Sequence, residues 1–246
     1  MRGVGNVTWP RHGVSQRPQV LAHRGASKQE PENTVMAFRA AHELGADAVE
    51  LDVRRCADGA LVVHHNPTLA NGMPLVQVAA ADLPGTVPTL DAALDACAGM
   101  WVNVEIKNDP SEPDFDPDDR IAADVVACLM RRREDARWLI SSFRRETVDA
   151  CRRLAPSIPT AWLTVLIDDP AATAASLVQS GHAAIHPYVE ALTREALDDM
   201  HARGLAVNVW TCDDPVRMAE LITWGIDGIC TNVPDVALRV LGSATN

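Results

Sequence analysis

The sequence predicts an α/β protein: a single (β/α)8 TIM-type barrel with a β-hairpin excursion after its second strand. Strand-like and helix-like runs alternate along the chain, eight of the strand-like runs can be parallel, and charged residues stand at the ends of several of them. An open doubly wound sheet usually begins with a glycine-rich phosphate loop after its first strand, and His23-Arg24-Gly25-Ala26 is not that motif. A closed barrel is therefore favoured over an open sheet.

Hydrophobic periodicity places the elements of this barrel in order. The parallel strands are predicted at Gln19–His23, Ala48–Val53, Trp101–Lys107, Trp138–Ser142, Pro159–Leu163, Ala183–His186, Leu205–Thr211 and Gly228–Thr231. The helices are predicted at about Thr34–Leu44, Leu90–Ala98, Asp118–Arg132, Arg145–Leu154, Ala171–Ser180, Thr193–Arg203 and Pro215–Trp224. One domain over residues 19–240 follows, preceded by a flexible leader over residues 1–18.

A hairpin is predicted after the second strand, where Asp58-Gly59 stands between two extended apolar runs. The return arm, Ala60–His65, would fold back antiparallel and bring His64 or His65 near Glu50. Strand alternation allows only one of these two histidines to face the same side as Glu50.

Composition and charge exclude several classes of protein. The 246 residues carry a net charge of −11, which argues against nucleic acid as a partner. No apolar run approaches the roughly 18–20 residues of a membrane span, and the amino terminus has no apolar signal region. The six cysteines are scattered, which favours reduced thiols and a cytoplasmic location. Much of the acidic excess lies in Asp109–Asp119, which is interpreted as a solvated loop.

Charged residues at the strand ends are the candidate site. Glu50 and Asp52 point to the same side of one strand, as do Glu105 and Lys107 on the next. Unpaired buried charges cost several kcal/mol or more, so acids on the inner face of a barrel need a partner. With His23 and Arg24 ending the first strand, these residues suggest a hard divalent cation that holds a phosphate.

The residues resemble one known family over nearly the whole chain, from about Gln19 to Asp235. The phrase HRGASKQEPENTVMAFRAAHELGADAVELDVRRCADGALVVHHNPTL is similar to the opening of the glycerophosphodiester phosphodiesterase family, and VNVEIK, Ser142-Phe143, VNVWT and GIDGICTNVPD match later parts. The resemblance implies a (β/α)8 barrel that needs a divalent cation, Mg²⁺ or Ca²⁺. It also implies hydrolysis of a small phosphodiester substrate, such as glycerophosphocholine, to glycerol 3-phosphate and an alcohol.

Carried over to this chain, the resemblance implies roles for individual residues. Glu50, Asp52 and Glu105 would bind the metal ion, and His23 and His65 would be the paired general acid and base. Arg24 and Lys107 would contact the phosphate, while Trp210 and Phe143 would line the substrate cleft. Glu32 would support the site from behind, although Glu32 and Asn33 are also suited to capping the first helix. His186 is interpreted as structural. The first nucleophile can be the glycerol 2-hydroxyl or water, and the sequence does not choose.

Two departures from the family pattern leave alternatives open. Asn66 stands where the family usually has Asp, so a barrel that binds phosphodiesters but turns them over weakly is one alternative. The connection over about Pro67–Thr86 is short, which predicts an open mouth and makes lysophospholipase D-type activity on lysophospholipids another. The sequence does not predict the oligomeric state, and no stable membrane insertion is expected.

Overall fold

Eight parallel strands close into a ring, which confirms the predicted barrel. The computed structural model describes residues 17–244. The strands are β1 Gln19–His23, β2 Ala48–Arg55, β3 Leu61–Val63, β4 Trp101–Ile106, β5 Trp138–Ser142, β6 Thr160–Thr164, β7 Ala184–Pro187, β8 Ala206–Val209 and β9 Gly228–Thr231. Strand β1 pairs in parallel with both β2 and β9, and this pairing closes the barrel.

Helices follow the parallel strands and pack around the ring. They are α1 Val35–Leu44, α2 Leu90–Ala96, α3 Arg120–Arg132, α4 Arg145–Leu154, α5 Pro170–Gln179, α6 Arg194–His201, α7 Pro215–Trp224 and α8 Pro234–Ala244. Four 3-10 turns accompany them, at Leu75–Gln77, Ala80–Asp82, Asp135–Arg137 and Val189–Ala191. Helix α8 was not predicted and runs past residue 240. The predicted leader, residues 1–18, lies outside the described residues except for Arg17 and Pro18.

The hairpin excursion forms as expected, but its return arm is shorter than predicted. Strand β3 pairs antiparallel with the end of β2, with Val53 opposite Val63 and Arg55 opposite Leu61. The Asp58-Gly59 turn has the Asp58 carboxylate accepting a hydrogen bond from the Ala60 N–H at 3.2 Å. Beyond β3 the backbone N–H of His64 still donates to the Asp52 carbonyl at 2.9 Å. This hydrogen bond holds the residues that follow β3 beside Asp52, at the mouth of the barrel.

The barrel interior changes from apolar to polar along the strands. The lower layer is apolar and consists mostly of small residues: Leu21, Ala48, Leu139, Ala161, Ala184, Ala206 and Cys230. Two residues further along each strand, the inward positions are mainly polar and include His23, Glu50, Asn103, Ser141, His186 and Asn208. The polar layer lies toward the carboxyl ends of the strands, where active sites of such barrels are found.

The acidic segment after β4 is not the solvated loop that was expected. Arg54, whose side chain is fully buried, forms ion pairs with Glu112 at 2.9 Å and Asp114 at 2.7 Å. Asp116 pairs with Arg55, and Asp119 pairs with Arg144. The interpretation was wrong because the arginines that neutralise these acids lie far away in the sequence. The segment is bound to the barrel through its carboxylates.

Candidate active site

Three carboxylates from two neighbouring strands meet inside the mouth of the barrel. Glu50 and Asp52 lie on β2 and Glu105 on β4, and one oxygen of each lies within 4.8 Å of the others. The parallel register places Asp52 directly opposite Glu105, and alternation places Glu50 on the same face two residues earlier. All three residues are buried. The pairing of β2 with β4 thus brings Glu105 next to Glu50 and Asp52, although it lies about fifty residues later in the sequence.

Burial and mutual repulsion govern the ionisation of this cluster. Burial raises the pKa of Glu50 well above its usual value, and the charges of Asp52 and Glu105 raise it further. Burial also raises the pKa of Asp52, but the charges of Lys107 and Arg24 outweigh it, so that this pKa is lowered. Among the described residues, no donor reaches Glu50 Oε1. Glu50 therefore has an oxygen available for a further positive ligand.

Two cationic side chains border the cluster. Arg24 Nε lies 3.2 Å from Asp52 Oδ2, and its Nη1 lies 3.0 Å from Glu32. Lys107 Nζ lies 2.7 Å from Glu105 Oε1 and 3.5 Å from Asp52 Oδ1. Three carboxylates against two cations leave one negative charge when all five are ionised. Carboxylates are preferred ligands of Mg²⁺ and Ca²⁺, so this residue set and the available Glu50 oxygen fit a hard divalent cation.

His23 ends β1 directly opposite Glu50 of β2. Its Nδ1 lies 2.7 Å from Asn232 Oδ1, and its Nε2 lies 3.9 Å from Glu50 Oε2. Burial lowers the pKa of His23, and the charge of Arg24 lowers it further. The imidazole is therefore neutral at neutral pH and turns Nε2 toward the carboxylates.

His65 reaches the site from the loop beyond β3. Burial lowers the pKa of His65, although the nearby Asp52 carboxylate opposes the shift. Its Nδ1 lies 2.9 Å from Asn66 Oδ1, while Arg54 donates to its backbone carbonyl at 2.8 and 2.6 Å. The neighbouring His64 instead bonds through Nδ1 to the backbone carbonyl of Asn66. The charge of Asp52 thus acts on His65, the histidine that strand alternation and the family pattern select.

Asn33 and Asn232 are site residues that the sequence reasoning did not select. Asn33 was considered as a helix cap, but Thr34 caps α1 by accepting from the Ala37 N–H at 3.2 Å. Asn33 instead donates through Nδ2 to Asp52 Oδ2 at 2.7 Å. Both asparagines lie in phrases that carry the family resemblance, PENT and CTNVPD, so a signal was present. Their partners could not be identified, because they depend on which strand ends meet.

Aromatic side chains line the opposite half of the mouth. Phe143 and Trp210 meet edge to face with ring centroids 5.2 Å apart, and Tyr188 lies 5.5 Å from Trp210. Lys107 Nζ lies 5.7 Å from the centroid of Phe143. A cavity of about 470 Å³ adjoins this group and is lined by Lys107, Phe143 and Val165 among others. The mouth is thus charged on the side of β1, β2 and β4 and apolar on the side of β5 to β8.

His186 lies beneath the site within the barrel. It is 3% exposed, and its Nε2 accepts a hydrogen bond from Asn208 Nδ2 at 2.9 Å. Burial lowers the pKa of His186 to about 3. A neutral imidazole with its Nε2 occupied supports the structural interpretation of this residue. Glu32, by contrast, is half exposed and forms an ion pair with Arg24.

The chain matches a known protein family and has relatives among known proteins. A sequence model described as the Glycerophosphoryl diester phosphodiesterase family matches residues 23–236. A probable glycerophosphodiester phosphodiesterase 2 from Mycobacterium tuberculosis is 31% identical, and the alignment covers 97% of this chain and 95% of that protein.

Two solved structures share this fold. A putative glycerophosphoryl diester phosphodiesterase from Silicibacter pomeroyi superimposes with a TM-score of 0.85 at 28% identity, covering 96% of each chain. An Oleispira antarctica phosphodiesterase, solved in complex with the product sn-glycerol-3-phosphate, superimposes with a TM-score of 0.84 at 25% identity, covering 92% of this chain and 97% of that one.

Within residues 17–244, none of the helices has both the length and the apolar character that a membrane crossing requires.

Proposed function

The chain belongs to the glycerophosphoryl diester phosphodiesterase family and is a phosphoric diester hydrolase, and from that premise we propose that it hydrolyses glycerophosphodiesters, such as glycerophosphocholine, to glycerol 3-phosphate and an alcohol. The cluster of Glu50, Asp52 and Glu105 beside two histidines is the observation that carries the proposal. The product bound to the Oleispira antarctica relative supports the identity of the phosphate product. Residues 19–240 would form the catalytic domain.

Glu50, Asp52 and Glu105 would hold the divalent cation, Mg²⁺ or Ca²⁺. When bound, such an ion neutralises the negative charge that builds on the phosphoryl oxygens. The charge of the site supports this assignment: a divalent ion changes one excess negative charge into one positive charge, which a phosphodiester monoanion then balances. Arg24 and Lys107 lie at the edge of the same cluster and would bind the phosphate oxygens.

His23 and His65 would share the proton transfers. Each has its Nδ1 bound to an amide oxygen, which leaves Nε2 free to exchange a proton with substrate. One imidazole takes the proton of the attacking hydroxyl, and the other gives a proton to the departing alcohol oxygen. The attacking hydroxyl is that of glycerol C2 or that of water, and the same two residues serve both routes. Trp210 and Phe143 would line the substrate cleft.

The test is release of glycerol 3-phosphate from glycerophosphocholine with and without a chelator. We expect turnover with Mg²⁺ or Ca²⁺, loss of turnover with chelator and recovery when the ion is restored. Glu50→Gln removes a ligand charge at nearly constant shape and is expected to abolish turnover. Glu43→Gln, the same substitution on the exposed face of α1, is the control. Turnover that persists in chelator would contradict the metal assignment.

Lysophospholipase D-type activity is the second candidate, and the apolar half of the mouth favours it. Phe143, Val165, Leu166 and Tyr188 are exposed there by 38, 52, 66 and 39%. An acyl chain could lie on this surface while the phosphodiester occupies the charged half. Faster turnover of lysophosphatidylcholine than of glycerophosphocholine would favour this candidate.

The third alternative, a weakly active binding barrel, rests on Asn66. The structure gives Asn66 a contact with His65 Nδ1 at 2.9 Å, so the hydrogen bond that orients the imidazole is present without the carboxylate. This contact supports turnover rather than binding alone. Binding of substrate by calorimetry without product would reverse that conclusion.

A cytoplasmic location is supported by the cysteines. All six are buried with free thiols, as expected of a protein in a reducing compartment. Fractionation of cells that express the protein would test the location.

A further inference from the structure

A chain of hydrogen bonds leads from His23 to a carboxylate that the proposed reaction does not use. Asn232 Oδ1 lies 2.7 Å from His23 Nδ1, and Asn232 Nδ2 donates to Asp213 Oδ2 at 2.7 Å. Asp213 Oδ1 accepts from the Asn232 backbone N–H and from Thr231 Oγ1, each at 2.8 Å. Asp213 follows β8 and Asn232 follows β9, so neighbouring strand ends bring the chain of contacts together.

The carboxylate determines which way the asparagine amide faces. An ionised carboxylate only accepts hydrogen bonds, so Asp213 must receive the N–H of the Asn232 amide. The amide oxygen then faces His23, where Ser27 Oγ also donates to it at 3.0 Å. Burial raises the pKa of Asp213, but the hydrogen bonds from Asn232 and Thr231 outweigh it and lower this pKa, which keeps the carboxylate ionised.

The amide orientation in turn determines the proton position on His23. An amide oxygen accepts but cannot donate, so the His23 nitrogen that faces it, Nδ1, must carry the hydrogen. In a neutral imidazole the other nitrogen, Nε2, then holds a lone pair. Nε2 is the atom that lies 3.9 Å from Glu50 in the candidate site.

We infer that Asp213 is a positioning residue: acting through the Asn232 amide, it fixes the His23 tautomer that presents an Nε2 lone pair to the active site. The effect on turnover rests on the proposed role of His23. The tautomer itself does not depend on that role and can be measured separately.

The first test measures the tautomer by long-range ¹⁵N NMR of the imidazole in Mg²⁺-loaded protein at alkaline pH. The His23 signals are assigned by their absence from His23→Gln. The wild-type protein is expected to carry the hydrogen on Nδ1. Asp213→Asn is expected to move it toward Nε2, because the asparagine oxygen keeps accepting from Thr231 and the Asn232 N–H and its amide nitrogen then faces the Asn232 amide. A hydrogen on Nε2 in the wild type, or an unchanged tautomer in Asp213→Asn, overturns the inference.

The second test reverses the two side chains. In the double variant Asp213→Asn, Asn232→Asp, the carboxylate at position 232 accepts from His23 Nδ1–H. The amide at position 213 donates to that carboxylate and accepts from Thr231 with its own oxygen. We expect Asp213→Asn to lower kcat about tenfold to a hundredfold with KM unchanged, which is less than the roughly 10⁴-fold loss known for an aspartate bonded directly to a catalytic histidine. The double variant should recover kcat to within about threefold of wild type, a strongly non-additive result.

Controls separate positioning from stability and from failure of the proposed function. Asp214→Asn makes the same change one residue away, where the side chain caps α7 and does not contact Asn232. The His23 tautomer and the kcat of this variant should match those of the wild type. Asn232→Asp alone places two carboxylates in contact and should be worse than the double variant. If Asp213→Asn does not fold, the double variant decides, because a hydrogen on His23 Nε2 there overturns the inference. Should the wild type prove inactive on every phosphodiester, the NMR result stands by itself.

Discussion

The two histidines of the site are bound alike at Nδ1 but differently beyond it. His23 meets the oxygen of Asn232, whose amide nitrogen is bound by the Asp213 carboxylate. His65 meets the oxygen of Asn66, and among the described residues no hydrogen bond is found from the Asn66 amide nitrogen. The orientation of one asparagine is therefore determined by a charge, while the orientation of the other is determined by the imidazole alone.

The two histidines also differ in how their backbones are held. His23 is the last residue of β1 and is fixed by the pairing of β1 with β2. His65 lies past the end of β3, and its carbonyl is bound by the buried guanidinium of Arg54. A strand end needs no further support, whereas a loop histidine depends on a side chain for its position. The His65 side is consequently the one where distant residues, Glu112 and Asp114, contribute through Arg54.

Replacing either histidine should give the largest loss of kcat, and the loss should be similar for His23 and His65. His23→Ala and His65→Ala each remove a group that we propose transfers a proton, and a loss of about 10²- to 10⁴-fold in kcat is expected for each. His64→Ala is the matched control, because His64 is adjacent in sequence and its imidazole bonds to the Asn66 backbone carbonyl. Steady-state kinetics on glycerophosphocholine would decide. A loss in His64→Ala as large as in His65→Ala would refute the choice between the two neighbours.

Replacing Arg54 should affect the His65 side alone. Arg54→Met leaves Glu112 and Asp114 without their buried partner and is expected to cost about 3–5 kcal/mol of unfolding free energy. Urea unfolding measures the loss, and ¹⁵N NMR should show His65 disturbed while His23 keeps its wild-type signals.

Arg55→Met is the control for Arg54, since Arg55 is the next residue of β2 and its side chain is partly exposed, so that a smaller cost is expected. Adding Glu112→Gln and Asp114→Asn to Arg54→Met should restore part of the stability. Equal losses for the two arginines would mean that the fully buried ion pairs of Arg54 contribute no more than the partly exposed pair of Arg55 with Asp116.

The sequence predicts the parts of this site that follow from strand periodicity. Alternation placed Glu50 and Asp52 together, and the closed barrel put Glu105 beside them, because parallel strands end at one face. The sequence did not reveal the hydrogen bond between Asp213 and Asn232 or the ion pairs of Arg54 with Glu112 and Asp114. Those contacts join residues that are 19 and 60 positions apart, and nothing in local periodicity states which loops meet. The acidic segment was misread for the same reason.

Helix caps illustrate the same limit at shorter range. Both Asn33 and Thr34 are suitable N-cap residues, and propensity ranks asparagine ahead of threonine. Asn33 instead donates to Asp52 on β2, the strand next to β1, and Thr34 caps the helix. A tertiary contact thus outweighs the local preference.

His186 offers a third case, a histidine whose pKa is lowered by burial alone. Its pKa of about 3 lies below the unfolded value, so the unfolded chain binds the extra proton first as the pH falls. Its contribution to stability is full above about pH 6.5 and declines below it, by about 2 kcal/mol between pH 7 and pH 5. In His186→Gln the acid-dependent loss should shrink by that amount, measured by urea unfolding at each pH. A His186→Gln slope equal to wild type would contradict the assignment.

Asn66→Asp would replace the amide that contacts His65 with a carboxylate. It is the mildest of these changes to the difference between His23 and His65. Burial now lowers the pKa of His65, and a carboxylate 2.9 Å from Nδ1 would stabilise the protonated ring, so this pKa should rise by at least about one unit. Asn71→Asp makes the same change in an exposed turn and should not shift it. NMR titration of His65 measures the shift, and His23 should remain unaffected because its own amide is bound by Asp213. If the pKa of His65 does not change, the contact with residue 66 does not control this imidazole. His23 and His65 would then differ in more than the hydrogen bond that Asp213 accepts from the Asn232 amide.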